Sequence, residues 1–137
     1  MSVYYHNESI DLPAINQEQV TAWIKEVAAE YNQTVGDINY IFCSDEVILK
    51  VNQEFLQHDY YTDIITFDYS TPESISGDIY ISIETVETNA EKYNTPFANE
   101  LHRVIIHGIL HLCGVDDKST EEEEKMRAAE ESALGKL

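Results

Sequence analysis

One stretch constrains this chain more than any other: His107-Gly-Ile-Leu-His111-Leu-Cys-Gly114-Val-Asp-Asp117, near the C-terminal end. It predicts a helix that opens at Thr95-Pro96, since proline is tolerated in a first helical turn. Gly114 can take the left-handed conformation that ends a helix and turns the chain back. Two histidines four apart on a helix lie about 40° apart around its axis, one turn above the other, so both imidazoles can converge on one ion. The acidic pair Asp116-Asp117 follows closely enough to offer a third ligand. Two imidazoles, a carboxylate and an open fourth position describe a catalytic zinc-type site.

With 137 residues, the chain is expected to form one domain over 1–137, with a core that needs no disulfide or metal staple. No charged-then-apolar leader opens the sequence and no apolar run approaches 18 residues, so the expectation is a soluble cytoplasmic protein with no membrane partner. Cys43 and Cys113 form no paired motif and are expected to be buried thiols. Cys113 lies about 240° round the helix from His107 and so faces away from the candidate metal. The charge is unusual, with 26 acidic against 8 basic residues and a net −18. Such a surface repels nucleic-acid phosphate at long range, which argues against a free RNA-binding module. Any nucleic-acid function must rest on a local patch, a metal or a partner.

The rest of the chain reads as four strands and five helices. Val3–Asn7 is a short strand. Asn16 with Gln19 resembles a capping box, followed by Val20, Trp23, Ile24, Val27, Ala28 and Tyr31 at helical spacing as a core stripe. Ile38, Tyr40 and Phe42 alternate with Asn39, Ile41 and Cys43 as a strand. Ser44 can cap a helix reaching about Phe55. Thr62–Tyr69 and the Ile79, Ile81, Ile83 face form a hairpin around a loop at Ser70–Ser76. A helix from about Glu84 to Tyr93 is capped by Ser82. The last helix spans Thr120 to Leu134-Gly135, its Glu121–Glu124 run favoured by the helix dipole.

In the HExxH metalloproteases a glutamate beside the first histidine is the general base, and here that position is Gly108. Glycine there permits close approach of another backbone or a substrate. The histidine block instead resembles the signature of the YbeY family, His-Gly-x-Leu-His-Leu-x-Gly-Tyr-Asp-His. Thr62-Asp63-Ile64-Ile65-Thr66-Phe67 is similar to the family's Pro-Thr-Asp-Val-Leu-Ser-Phe segment, and Gly77-Asp78-Ile79-Tyr80-Ile81-Ser82 to its Gly-Asp-Ile strand. The similarity runs in unbroken order over roughly residues 40 to 135. It implies an α+β fold, a small mixed sheet packed with helices. The activity it implies is that of a metal-dependent, single-strand-specific endoribonuclease in ribosomal RNA maturation, at the 16S 3′ end and in ribosome quality control.

On that resemblance His107, His111 and Asp117 are the expected ligands of one Zn²⁺ ion, with Asp117 where the family has its third histidine. Asp63, Asp78 and Asp116 match family positions and are expected as supporting or substrate-side residues. Ribosomal RNA and ribosome-associated proteins are the expected partners, with no organic cofactor. Leu56 stands where the family has an arginine implicated in handling phosphate. His58 is read as an exposed loop residue, His6 has no informative context, and His102, roughly 140° from His107, cannot join the ligand set. Two rivals remain open: a metal-dependent hydrolase of a small molecule or peptide, and a non-catalytic ribosome-biogenesis factor whose metal pins the last helix.

Overall fold

A computed structural model describes residues 2–56 and 62–137. His58 therefore lies outside the described residues. The elements run β1 (Val3–Glu8), α1 (Gln17–Glu30), β2 (Thr34–Cys43), α2 (Asp45–Val51), β3 (Ile64–Asp68), β4 (Ser74–Ser82), α3 (Ile83–Lys92), α4 (Phe97–Leu112) and α5 (Thr120–Leu134). Among the described residues this is the α+β architecture expected, a four-stranded mixed sheet with five α-helices.

The strand order is β1-β2-β4-β3, with β1, β2 and β4 parallel and β3 antiparallel to β4. Period-two alternation divides the sheet into two faces. Ile38, Tyr40 and Phe42 of β2 and Ile75, Ile79 and Ile81 of β4 are buried in the main core, against α1 and α4. Cys43 and Ile65 point to the other face, where Ile48 and Val51 of α2 cover them. The Tyr40 hydroxyl, fully buried, donates to the Ile105 carbonyl at 2.8 Å and ties the sheet to the middle of α4.

Local signals end the helices much as the sequence suggests. The Asn16, Ser44 and Ser82 side chains accept from the backbone of Gln19, Val47 and Thr85. Ser119 and Glu122 form a full capping box at α5, which fixes its start beyond what the dipole alone supplies. At the end of α4, Gly114 has φ +96°. The Val115 amide donates back to the Leu110 carbonyl and the Gly114 amide to that of His111, both at 3.0 Å. That Schellman geometry folds the Asp116-Asp117 segment back beside the helix.

Several boundaries differ from expectation. Regular α-helix stops at Val51, and Asn52–Leu56 continue as one wide π-type turn. The hairpin loop is shorter than Ser70–Ser76, because β4 already begins at Ser74. Tyr31 caps α1 and is half-exposed, so the core stripe ends at Ala28. Cys43 is buried, its thiol pushed up to about 12 chiefly by burial. Cys113 is only partly buried, at the helix end where packing thins out; burial still pushes its thiol up to about 11.

Gly108 is explained by packing. A Cβ there would sit 3.0 Å from Ile79 Cδ1 and 3.2 Å from Ile64 Cδ1, so glycine lets α4 lie close on β3 and β4. Gly108→Val is expected to lower stability by about 1–3 kcal/mol through overpacking. Gly108→Ala should be near neutral, because about 1 kcal/mol of helix propensity offsets the tighter contact. Urea titrations check both; a neutral valine variant would remove the close approach as a constraint.

Candidate metal centre

The packing of α4 decides where its histidines go. With Gly108 against the sheet, His107 lies about 100° to one side of that contact and His111 about 60° to the same side. Both therefore face the flank nearest edge strand β3. There an open cavity of about 780 Å³ is lined by His107, His111 and Asp117 together with Asp63, Ile64 and Thr66. Glu100, Arg103, Glu123, Arg127 and Glu130 close its other walls.

His107 is held from two sides. Its Nδ1 lies 2.7 Å from Glu130 Oε2, and its Nε2 lies 3.4 Å from Asp117 Oδ2. Burial alone would lower the His107 pKa, but the Glu130 hydrogen bond and the charges of Glu130, Asp117 and Asp63 raise it above 6.5. Arg103, one turn earlier on α4, donates from Nη1 to the second Glu130 oxygen at 3.0 Å and from Nη2 to Glu131 at 2.5 Å. Glu130, on α5, is 7% exposed, a buried acid serving two partners on the neighbouring helix.

The other sequence candidates separate cleanly. Asp63 lines the cavity, its carboxyl held above the usual range chiefly by burial; His107 and backbone hydrogen bonds work against this and the Glu130 charge adds to it. Asp78 does not reach the cavity. It points to the opposite face of the sheet, where it accepts from the Asn39 side chain at 3.2 Å, because Ile79 takes the inner face. Asp116 is exposed and is not among the lining residues, so the reversed chain presents Asp117 to His107 and leaves Asp116 outside. His102 packs edge-on against Trp23, and burial lowers its pKa. His6 sits on β1, with Nε2 3.0 Å from the Asn39 side-chain oxygen.

Among the described residues, no three His, Cys, Asp or Glu side chains already stand as a group that could hold an ion. The donors fit a metal in kind. His107 and Asp117 are neighbours, His111 shares their wall, and a carboxylate on the far nitrogen of a ligating imidazole is the usual outer support. Four residues of the site are not singled out by the sequence: Glu130, Arg103, Arg127 and the buried Glu100. Arg103 stands four before His107 on one helix face and could have been read from that spacing. Nothing local marks Glu130 among the acids of α5.

The family model described as Endoribonuclease YbeY matches residues 4–137. The Endoribonuclease YbeY of Bacteroides fragilis is 59% identical over 134 residues, covering 98% of this chain and 96% of the relative. That of Parabacteroides distasonis is 58% identical over 137 residues, covering 100% and 96%. A Thermotoga maritima protein solved in solution aligns with a TM-score of 0.64 and 30% identity, over 98% of this chain and 90% of that one.

A raised His107 pKa has a definite consequence for stability. The folded state holds the ring proton more tightly than the unfolded chain, so the pairing stabilises fully below pH 6.5 and is lost as pH rises through the raised value. In metal-free protein, urea midpoints of wild type and His107→Gln should therefore converge as pH is raised from 5 to 9. A gap independent of pH would mean that packing alone holds the ring.

Proposed function

This chain belongs to the YbeY endoribonuclease family, and on that footing we propose that it is a metal-dependent endoribonuclease that cleaves single-stranded ribosomal RNA during maturation. Its setting would be 16S 3′-end processing and ribosome quality control in the cytoplasm, with ribosome-associated proteins as partners and no organic cofactor. No helix among the described residues is long and apolar enough to cross a membrane. His107, His111 and Asp117 would hold one zinc ion. Bound there, zinc would supply Lewis acidity toward a phosphoryl oxygen.

The observation that carries this reading is the setting of His107. One ring nitrogen is engaged by a buried carboxylate while the other faces Asp117 in a cavity shared with His111. Gly108 supports it against a peptidase, since the position that carries the glutamate of that chemistry has no side chain here and faces Ile64 and Ile79 of the sheet.

Phosphate needs a cation that is not already spent. Both terminal nitrogens of Arg103 are taken up by Glu130 and Glu131. Arg127 lines the same cavity, is exposed, and has no ion pair among the described residues, although its charge is felt by Glu100 and Glu131. It is the guanidinium free to take a phosphodiester in a chain that has Leu56 at the family's arginine position.

Wild-type protein prepared without chelator should contain near-stoichiometric zinc, lost in His107→Ala and His111→Ala, which should also abolish cleavage of rRNA precursor fragments. Arg127→Ala should raise KM for a single-stranded fragment about tenfold with kcat changed less. The same change should lower the salt dependence of RNA binding by about one ion. Cleavage that survives chelation and both histidine substitutions would sink the metal mechanism. An unaltered salt slope would remove Arg127 from the substrate site.

A further inference from the structure

We propose that Glu130, braced by Arg103, is the positioning residue that fixes which ring nitrogen of His107 carries the proton, so that α5 shapes a ligand belonging to α4. The inference rests on the metal reading above and adds a role for the C-terminal helix.

The geometry leaves little choice. An ionised carboxylate only accepts hydrogen bonds, so the 2.7 Å contact from Glu130 Oε2 requires His107 Nδ1 to be the donor. In the neutral ring the lone pair is then on Nε2, the nitrogen that faces Asp117 and the cavity. Arg103 Nη1 donates to the other Glu130 oxygen at 3.0 Å, so both oxygens are engaged as acceptors. A buried acid with one oxygen on a guanidinium and the other on an imidazole cannot turn without breaking a charge-assisted bond.

The placement of Glu130 depends on how α5 is docked. Met126 and Ala133 bury into the core on either side of it, and Trp23 of α1 donates from its ring nitrogen to the Ala133 carbonyl at 2.8 Å. Arg103 and His107 lie four apart on α4, so one carboxylate grips successive turns of the facing helix. A simple helix–helix staple would need only the arginine. The second oxygen, turned onto Nδ1, is what ties the acid to the ligand.

Nitrogen-15 ring correlations of metal-free protein, recorded above the His107 titration, read the tautomer directly. Wild type should show the proton on Nδ1, and Glu130→Ala should shift a substantial fraction to Nε2. Zinc affinity, measured by competition with a chromophoric chelator, should fall about 10–100-fold in Glu130→Ala and less in Glu130→Gln, whose oxygen can still accept from Nδ1. If the alanine variant fails to fold, Glu130→Gln and Arg103→Met carry the same comparison. A wild-type proton on Nε2, or a folded Glu130→Ala variant with unchanged tautomer and zinc affinity, overturns the proposal and leaves Glu130 a helix staple. If wild type takes up no zinc, the metal reading fails, and the ring correlations alone decide whether Glu130 sets the tautomer.

Discussion

The close approach of α4 to the sheet at Gly108 is the contact on which the rest of the structure depends. It brings the buried face of the helix, Leu101, Val104, Ile105, Ile106, Ile109 and Leu112, into the same core as the isoleucines of β4. It also sets the rotation of the helix, and rotation is what sends His107 and His111 to the β3 flank together. A side chain at position 108 large enough to lift α4 would move both imidazoles as well as loosening the core. One glycine thus serves stability and the site by the same physical means, and Gly114 completes the arrangement by returning Asp117 to the side of His107.

The electrostatics of the cavity look wrong for an RNA-cleaving protein until a bound cation is considered. Asp63, Glu100, Asp117, Glu123 and Glu130 all line it, against Arg103 and Arg127. Burial holds the carboxyls of Asp63 and Glu100 above their usual range, which marks the site as one where negative charge is already costly. A phosphodiester brought into that field alone would be repelled. On the proposed reading His107, His111 and Asp117 would hold a cation, whose charge would offset these carboxylates toward the substrate. The same excess of acid that penalises phosphate at long range draws a divalent ion. A net charge of −18 therefore restricts how RNA can approach, leaving cleavage itself open.

Where signals are local, the sequence was a good guide. Capping residues, the α4 helix, its glycine stop and the strand alternation are decided within a few residues, and the structure follows them closely. Asp78 shows a limit that period-two logic could have removed: with Ile79 facing the core, its neighbour must face away. The wide turn at Asn52–Leu56 has no comparable local mark. Glu130 is illegible for a different reason. It lies 23 residues beyond His107 and among many acids, and its role exists only once α5 packs on α4. Its burial, not its residue type, sets it apart from Glu121–Glu124, which remain largely in solvent at the start of that helix.

A buried acid in that position bears on how the site is held together. Burying a carboxylate is costly unless it is paired and hydrogen-bonded, and Glu130 meets that condition only with Arg103 and His107 both in reach. The three groups are thus satisfied together where α5 packs on α4. Trp23 contributes to that packing, its ring nitrogen donating to the Ala133 carbonyl 110 residues away. The candidate centre is therefore not local to the His107–Asp117 segment. It requires α1, α4 and α5 to be docked at once, so a core defect under Trp23 would reach the imidazole through the carboxylate that positions it.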